Sequence, residues 1–358
     1  MRLLTVVGAR PQFIKAAVVS RELRKEHTEI LIHTGQHYDY NMSDIFFQEL
    51  DIPNPDYNLG ISGGSHGKMT GEMLIALEDV IIKEKPDAVL LYGDTNSTMA
   101  GAIAAVKLHI PVIHVEAGNR LGTLDNPEEV NRIVTDHVSS LKLCCTASAF
   151  DFLKKENISD NAFVVGDPMY DAFKYYSQKV GDNMPEQLIS FDDEIIKLPA
   201  DFYYMTCHRQ ENAGSDEPLT QILSAMEELE QKCIYPVHPR NRERVQNIVH
   251  KKNLKNIIIC QPVGYLMSVY LTNHCEKIVT DSGGLQREAF FAKKQCVTVF
   301  DYVAWPETMV GNRNQLAKPI KVDIIDKLNK QHNLTSGNDA FGDGNAAKKI
   351  VDHINEYI

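Results

Sequence analysis

The chain has 358 residues, 43% hydrophobic and 24% charged, which excludes disorder, collagen and coiled coil and describes a globular protein. At roughly 150 residues per domain, two domains are expected, each able to bury its own core. Lys and Arg number 37 against 48 Asp and Glu, a net charge of −11, so nucleic acid and anionic membrane are not expected partners, and an anionic ligand must find its cations locally.

Short β-rich runs alternate with amphipathic helical runs from the start. The stretch MRLLTVVGARPQF reads as a buried strand, Leu3–Val7, rather than as a leader or an anchor. A helix follows over Gln12–Lys25, with Phe13, Ile14, Ala17, Val18 and Leu23 at helical spacing. Strands are then expected at Ile30–His33, Ala88–Tyr92, Val112–Val115 and Leu143–Thr146. Helices are expected at Met69–Lys83, Ser97–Leu108 and Glu128–Ser139. The rhythm lapses over Gly181–Pro199. It resumes with strands at Phe202–Thr206, Ile234–Val237, Ile257–Cys260, Lys277–Thr280 and Val297–Phe300. The helices between and after them are Leu219–Gln231, Glu243–Lys251, Met267–Asn273 and Leu285–Ala292, with a last one at Asn345–Ile358. Such alternation gives α/β folding, parallel sheets covered on both faces, and two halves that meet between about Gly166 and Leu198. The cysteines are odd in number and most lie in apolar strands, which suits thiols in a reducing cytoplasm. No C-x-x-C or H-E-x-x-H occurs, so no metal is expected.

In open parallel sheets, ligands sit beyond the carboxyl ends of the strands. After the first strand, Gly8-Ala9-Arg10-Pro11 opens a helix whose N-terminus, with Arg10 and Lys15, suits an anion; an ordinary turn with solvated cations is the alternative. Ser62–Met69 only loosely resembles a phosphate loop, since Ser62 and Met69 stand where Gly and Ser or Thr belong. Asp94, Glu116 and Glu128 emerge from neighbouring loops, and several acids round one cavity can divide acid and base roles. Helix capping is the alternative for Asp94 and Glu128, but Glu116 starts no helix. In the second half, strands end in Cys207-His208-Arg209, His238-Pro239-Arg240 and Asp281-Ser282-Gly283-Gly284. The Ser-Gly-Gly turn into a helix is a phosphate cradle, and Glu288 one turn later can accept both ribose hydroxyls. Cys207 reads as a packed strand end rather than an activated thiol.

Taken together, GARPQFIK (8–15), TGQHYD (34–39), GDTNST (93–98), HVEAG (114–118), PEEVNR (127–132), CHRQEN (207–212), PVHPR (236–240) and TDSGGLQREA (280–289) resemble the non-hydrolysing UDP-N-acetylglucosamine 2-epimerase family, in its order and over nearly the whole chain. The resemblance implies two Rossmann-like domains in a B-type glycosyltransferase arrangement with the active site in the cleft. The first domain would be 1–168 with the returning helix 345–358, and the second 169–344. It implies Arg10 and Lys15 near the diphosphate, with Asp94, Glu116 and Glu128 at the sugar and His208 across the cleft. Ser282, Gly283 and Gly284 would hold phosphate, Glu288 the ribose, and His238 and Arg240 would flank the nucleotide. The expected substrate is a UDP-2-acetamido sugar, epimerised at C2 by elimination and re-addition of UDP without nicotinamide or other cofactor, for surface polysaccharide synthesis. A homodimer is the expected assembly.

Tyr38-Asp39 departs from the basic or amide pair tied to allosteric activation in the family, and that activation is left open. The short Glu116–Pro127 stretch and Gly118-Asn119-Arg120 look more like the branches acting on UDP-2,3-diacetamido-2,3-dideoxyglucuronate or on 2-acetamido-2,6-dideoxyhexoses. The arginines found before PEE in those branches are absent, so the sugar stays open. A B-type glycosyltransferase, a hydrolysing epimerase and a nucleotide-sugar sensor are the rivals.

Overall fold

A computed structural model describes residues 1–36, 49–181 and 187–358. The residues His37, Tyr38 and Asp39, on which the activation reading turns, lie outside the described residues. The chain divides into two compact units, Met1–Ala172 with Asp339–Ile358, and Phe173–Asn338.

The first unit is built on a parallel sheet of β1 (Arg2–Val7), β2 (Thr28–His33), β3 (Tyr57–Asn58), β4 (Ala88–Tyr92), β5 (Val112–Val115), β6 (Leu141–Cys144) and β7 (Ala162–Val164), in the order 3-2-1-4-5-6-7. Strand β4, Ala-Val-Leu-Leu-Tyr, is buried at every position, as a strand covered on both faces must be. Leu4, Val6, Val89 and Leu91 project to one side, where Met73, Leu77 and Val80 of the helix His66–Glu84 and Ala100 and Ala104 of the helix Asn96–Lys107 cover them. The strand order reverses between β1 and β4, so the loops after these two strands part to opposite faces and leave a crevice at their carboxyl ends.

The second unit repeats the plan with β10 (Phe202–Thr206), β11 (Lys232–Pro236), β12 (Ile257–Cys260), β13 (Lys277–Thr280), β14 (Gln295–Thr298) and β15 (Asn314–Leu316), in the parallel order 12-11-10-13-14-15. Its reversal lies between β10 and β13. Both units are therefore Rossmann-like.

Boundaries differ from expectation where polar residues do structural work. The strand expected at Leu143–Thr146 pairs two residues earlier, because Thr146 leaves the ladder to cap the helix Ala147–Lys155, its hydroxyl accepting from Ala149 N–H at 3.3 Å. The strand expected at Val297–Phe300 likewise begins at Gln295, a polar residue buried within the sheet. The lapse at Gly181–Pro199 contains an antiparallel hairpin, β8 (Gln187–Ile189) against β9 (Ile195–Lys197), whose arms are too short to show a period.

The last helix, Ala346–Tyr357, packs in the first unit. Ala346, Ala347, Ile350, Val351 and Ile354 form its buried stripe, and Asp171 accepts the Ala347 N–H at 2.7 Å. Gly166, at φ 92°, lets the chain pass the Phe341 carbonyl, which a Cβ would meet at 3.0 Å. Ile350 is fully buried, so Ile350→Ala is expected to lower urea stability by about 2–5 kcal/mol. A change within about 0.5 kcal/mol would show that the helix is not part of that core.

Candidate active site

At the reversal in the first unit, one amide joins the two loops. Gln12, in the first turn of the helix Arg10–Leu23, accepts the N–H groups of Gly8 and Ala9 at 2.8 and 3.0 Å. Its Nε2 donates to the Tyr92 carbonyl at 2.7 Å and to the hydroxyls of Thr95 and Thr98 at 3.0 Å each. Gly8 has to be glycine for a reason of space: a Cβ would lie 2.3 Å from the Thr34 hydroxyl and 2.4 Å from that of Ser97. Arg10 stands half-buried at the first helical position. Lys15, one turn further on, is 2% exposed and its ammonium is on the Glu116 carboxylate.

Glu116 is turned to meet that ammonium by its backbone. It follows β5 at φ 74°, a left-handed conformation that costs a non-glycine residue about 1–3 kcal/mol. The N–H groups of Glu116 and Ala117 both donate to the Leu143 carbonyl, at 2.9 and 3.1 Å, which breaks the strand at this point. The carboxylate comes to lie over Gly93, where a Cβ would stand 3.2 Å from Oε2. Asp94 follows Gly93 directly. The helix after Asp94 is capped by Thr95, not by Asp94. The Asp94 carboxylate instead accepts from Arg132 Nη2 at 2.5 Å, and Arg132 Nη1 donates to Glu129 at 2.8 Å. Asn131 Nδ2 donates to the Asp94 carbonyl at 2.9 Å. Lys15–Glu116 and Arg132–Asp94 are thus two ion pairs, their acids on the loops that follow β5 and β4.

Glu128 lies on the neighbouring helix, four residues before Arg132. It is exposed on the first turn of the helix Pro127–Val138, where the dipole favours an acid, and Asn126 rather than Glu128 provides the cap.

Beneath these pairs lies a buried ion network that sequence reasoning did not single out. His114 has both ring nitrogens against acceptors, Nδ1 on Asp136 Oδ1 at 2.6 Å and Nε2 on the Gly93 carbonyl at 2.7 Å. The ring is thereby held at both ends, by a carboxylate and by a backbone carbonyl. Asp136 also accepts from Arg120 Nη1 at 2.6 Å and from the Gly118 N–H at 3.0 Å. Arg120 closes the network with paired bonds to Glu156 at 2.7 and 2.8 Å. The sequence signal for it is His114, a polar residue within the apolar strand Val112–Val115; Asp136, Arg120 and Glu156 stand among polar neighbours.

In the second unit, Asp281 at the end of β13 plays the joining part. Fully buried, it accepts the His208 and Arg209 N–H groups at 2.9 Å each and faces His208 Nδ1 at 3.1 Å. Arg209 stacks on Phe300, 4.2 Å from the ring centroid, and donates to the Tyr302 hydroxyl at 2.6 Å. Ser282 caps the helix Gly283–Phe291, with Gly283 and Gly284 as its first residues. Glu288 is buried on that helix, and the neighbouring Arg287 stacks on Trp305, 4.1 Å from the ring centroid. His238 caps a short turn through Nδ1, which accepts from the N–H of the exposed Arg240 at 3.2 Å. Burial and the adjacent Asp281 push the Cys207 thiol far up, which removes it as a nucleophile.

Each unit thus presents charged and hydrogen-bonding side chains at its own strand reversal, the arrangement of an α/β protein that takes a nucleotide-like ligand. The family model for UDP-N-acetylglucosamine 2-epimerase matches residues 21–355. A UDP-N-acetylglucosamine 2-epimerase homolog of Methanococcus maripaludis is 46% identical, over 98% of this chain and 99% of that one. The UDP-2,3-diacetamido-2,3-dideoxy-D-glucuronate 2-epimerase of Pseudomonas aeruginosa is 43% identical over 99% of both. The crystal structure of the Methanocaldococcus jannaschii UDP-GlcNAc 2-epimerase in complex with UDP-GlcNAc and UDP matches with a TM-score of 0.88 at 38% identity, covering 99% of this chain and 100% of that one. The chain belongs to the UDP-N-acetylglucosamine 2-epimerase family, isomerases that act on nucleotide sugars.

The Asp136 network sets an acid limit to folding. Burial alone would push Asp136 up, but His114 and then Arg120 bring it below its ordinary 3.8. A carboxyl that is lower in the folded chain adds stability above its unfolded value, and that stability is lost as pH falls through the folded one. The stability gap between wild type and Asp136→Asn in urea is expected to be widest near neutral pH and to narrow below about pH 4. A gap that stays constant from about pH 3 to 7 would count against this account.

Proposed function

We propose that the chain inverts C2 of a UDP-2-acetamido sugar, of the UDP-GlcNAc to UDP-ManNAc type, by eliminating UDP and adding it back. The C2 proton has no neighbouring carbonyl to acidify it. Breaking the C1–O bond to UDP as the proton leaves C2 gives a 2-acetamidoglycal. Return of a proton to the opposite face of C2, with addition of the UDP oxygen to C1, gives the epimer. The single observation that supports this best is the pair of carboxylates, Asp94 and Glu116, each held against a buried cation at the strand reversal. Arg132 and Lys15 hold the two carboxylates in place by ion pairs. Lys15 is assigned to this task rather than to the diphosphate. Glu128, on the helix that carries Arg132, is the third acid of the pool. Arg10 and the Ser282-Gly283-Gly284 turn are assigned to the diphosphate, Glu288 to the ribose, His208 to the leaving UDP, and His238 and Arg240 to the nucleotide's flank. Placement in the cytoplasm is supported by cysteines that are all buried thiols. A homodimer remains the expected assembly.

The same chemistry on UDP-2,3-diacetamido-2,3-dideoxyglucuronate is the second reading. The 43% identity to the Pseudomonas aeruginosa enzyme over nearly the full chain favours it. Turnover of both UDP-sugars followed by proton NMR decides between them.

Elimination and re-addition exchange the C2 hydrogen with solvent if the groups on the two faces differ. The epimerised product formed in D₂O is therefore expected to carry deuterium at C2, with neither acceptor sugar nor nicotinamide supplied. Product that keeps its original C2 hydrogen would overturn the mechanism, and turnover only with an acceptor would favour a glycosyltransferase.

Asp94→Asn and Glu116→Gln keep side-chain shape and are each expected to cut kcat by about 10²–10⁴-fold, the scale of acid–base catalysis. Full activity in either variant would remove that residue from the acid–base pool. Glu288→Ala is expected to weaken UDP binding by about 1–3 kcal/mol in calorimetry. Unchanged affinity would place the ribose elsewhere.

A further inference from the structure

We infer that Asp281 is the positioning residue that holds His208 with Nδ1–H turned inward and Nε2 turned out to the ligand, so that Nε2 delivers a proton or a charged hydrogen bond to the departing diphosphate. The inference rests on the reading of His208 given above. The two oxygens of Asp281 divide their work. Oδ2 accepts the His208 and Arg209 N–H groups and, at 3.4 Å, Asn212 Nδ2. Oδ1 faces His208 Nδ1 at 3.1 Å and the His208 N–H at the same distance. A carboxylate only accepts, so Nδ1 must be the donor, and the proton that comes and goes is the one on Nε2.

The carboxylate itself cannot drift from this place. It is fully buried at the end of β13, and its own N–H donates to the Thr206 carbonyl at 3.3 Å. Asn212, which shares Oδ2, is anchored to the Val299 carbonyl at 2.9 Å. The ring of His208, by contrast, is 47% exposed. A fixed backbone with a half-exposed ring suits transfer to a bound oxygen. Burial raises Asp281, but the hydrogen bond and charge of His208, with the loop N–H groups, keep it below its ordinary value.

Asp281→Asn separates these two tasks. Its oxygen at the Oδ2 position keeps the loop N–H bonds, whereas its NH₂ at the Oδ1 position donates to Nδ1 and forces the proton to Nε2. The test combines ¹⁵N imidazole NMR on histidine-labelled protein, with His208 assigned from the His208→Gln spectrum, and kinetics of both single variants and the double variant. Wild type is expected to show His208 protonated on Nδ1, and Asp281→Asn to show the neutral Nε2–H form. Turnover of Asp281→Asn is expected to fall by about 10²-fold or more in kcat, with KM little changed. The double variant is expected to be no slower than His208→Gln alone, because a residue that acts through another adds nothing once that other is gone.

Wild-type His208 lacking a proton on Nδ1 would overturn the inference without any variant, so misfolding of Asp281→Asn does not shield it. Losses that multiply in the double variant would overturn it too and leave Asp281 a purely structural residue. Wild-type turnover in His208→Gln would instead remove His208 from the reaction, and the tautomer measurement would still report whether Asp281 sets the ring.

Discussion

A carboxylate taken out of water costs several kcal/mol unless cations or N–H groups meet it, and both halves of the chain are arranged round that requirement. In the first unit, Glu116 is met by Lys15, Asp94 by Arg132, and Asp136 by His114 and Arg120. In the second, Asp281 is met by two backbone N–H groups and a histidine. Removing one member of such a pair leaves the other charged and buried, which is far costlier than never having built the pair. These acids therefore bind together the loops that surround them, and the loops carry the residues assigned to the ligand.

The same arrangement separates scaffold from chemistry. Asp136 and His114 have no exposed surface, and their partners are the Gly93 carbonyl, the Gly118 N–H and Arg120. They fix the backbone on either side of Asp94 and Glu116. Arg120 is engaged on Asp136 and Glu156, so its guanidinium belongs to the scaffold. Asp94, Glu116 and His208, the groups proposed to exchange protons with the ligand, keep part of their side chains exposed. Strain falls in the same place: Glu116 holds a left-handed backbone, and Gly118, at φ 84°, lies where a Cβ would meet the Ala149 carbonyl at 2.3 Å. A backbone bent this sharply persists because the Lys15 pair and the shared Leu143 carbonyl over-determine it.

Much of the fold could be read from the residues alone, and the reason is period. Runs such as Ala-Val-Leu-Leu-Tyr and Ile-Ile-Ile-Cys, set between amphipathic helices, report a strand covered on both faces, and alternation of the two reports a parallel sheet. The ordered motifs added the family, and Arg10, Asp94, Glu116, His208 and Ser282 all lie at strand ends, as their positions after apolar runs required. The sequence determined this much because burial patterns and strand-end chemistry are local properties.

What tertiary structure decided was which charge meets which. Lys15 and Glu116 are 101 residues apart, Arg132 and Asp94 38, and His208 and Asp281 73. No spacing rule reaches across such gaps. Whether Asp94 capped its helix or faced Arg132 depended on Thr95 taking the cap. Those outcomes are set by the strand order 3-2-1-4-5-6-7, which lays the loop after β4 beside the helix after β1, and by the order 12-11-10-13-14-15, which sets Asp281 under His208. Pairing across a sheet is a non-local choice, made by the packing of the whole unit rather than by any segment of it.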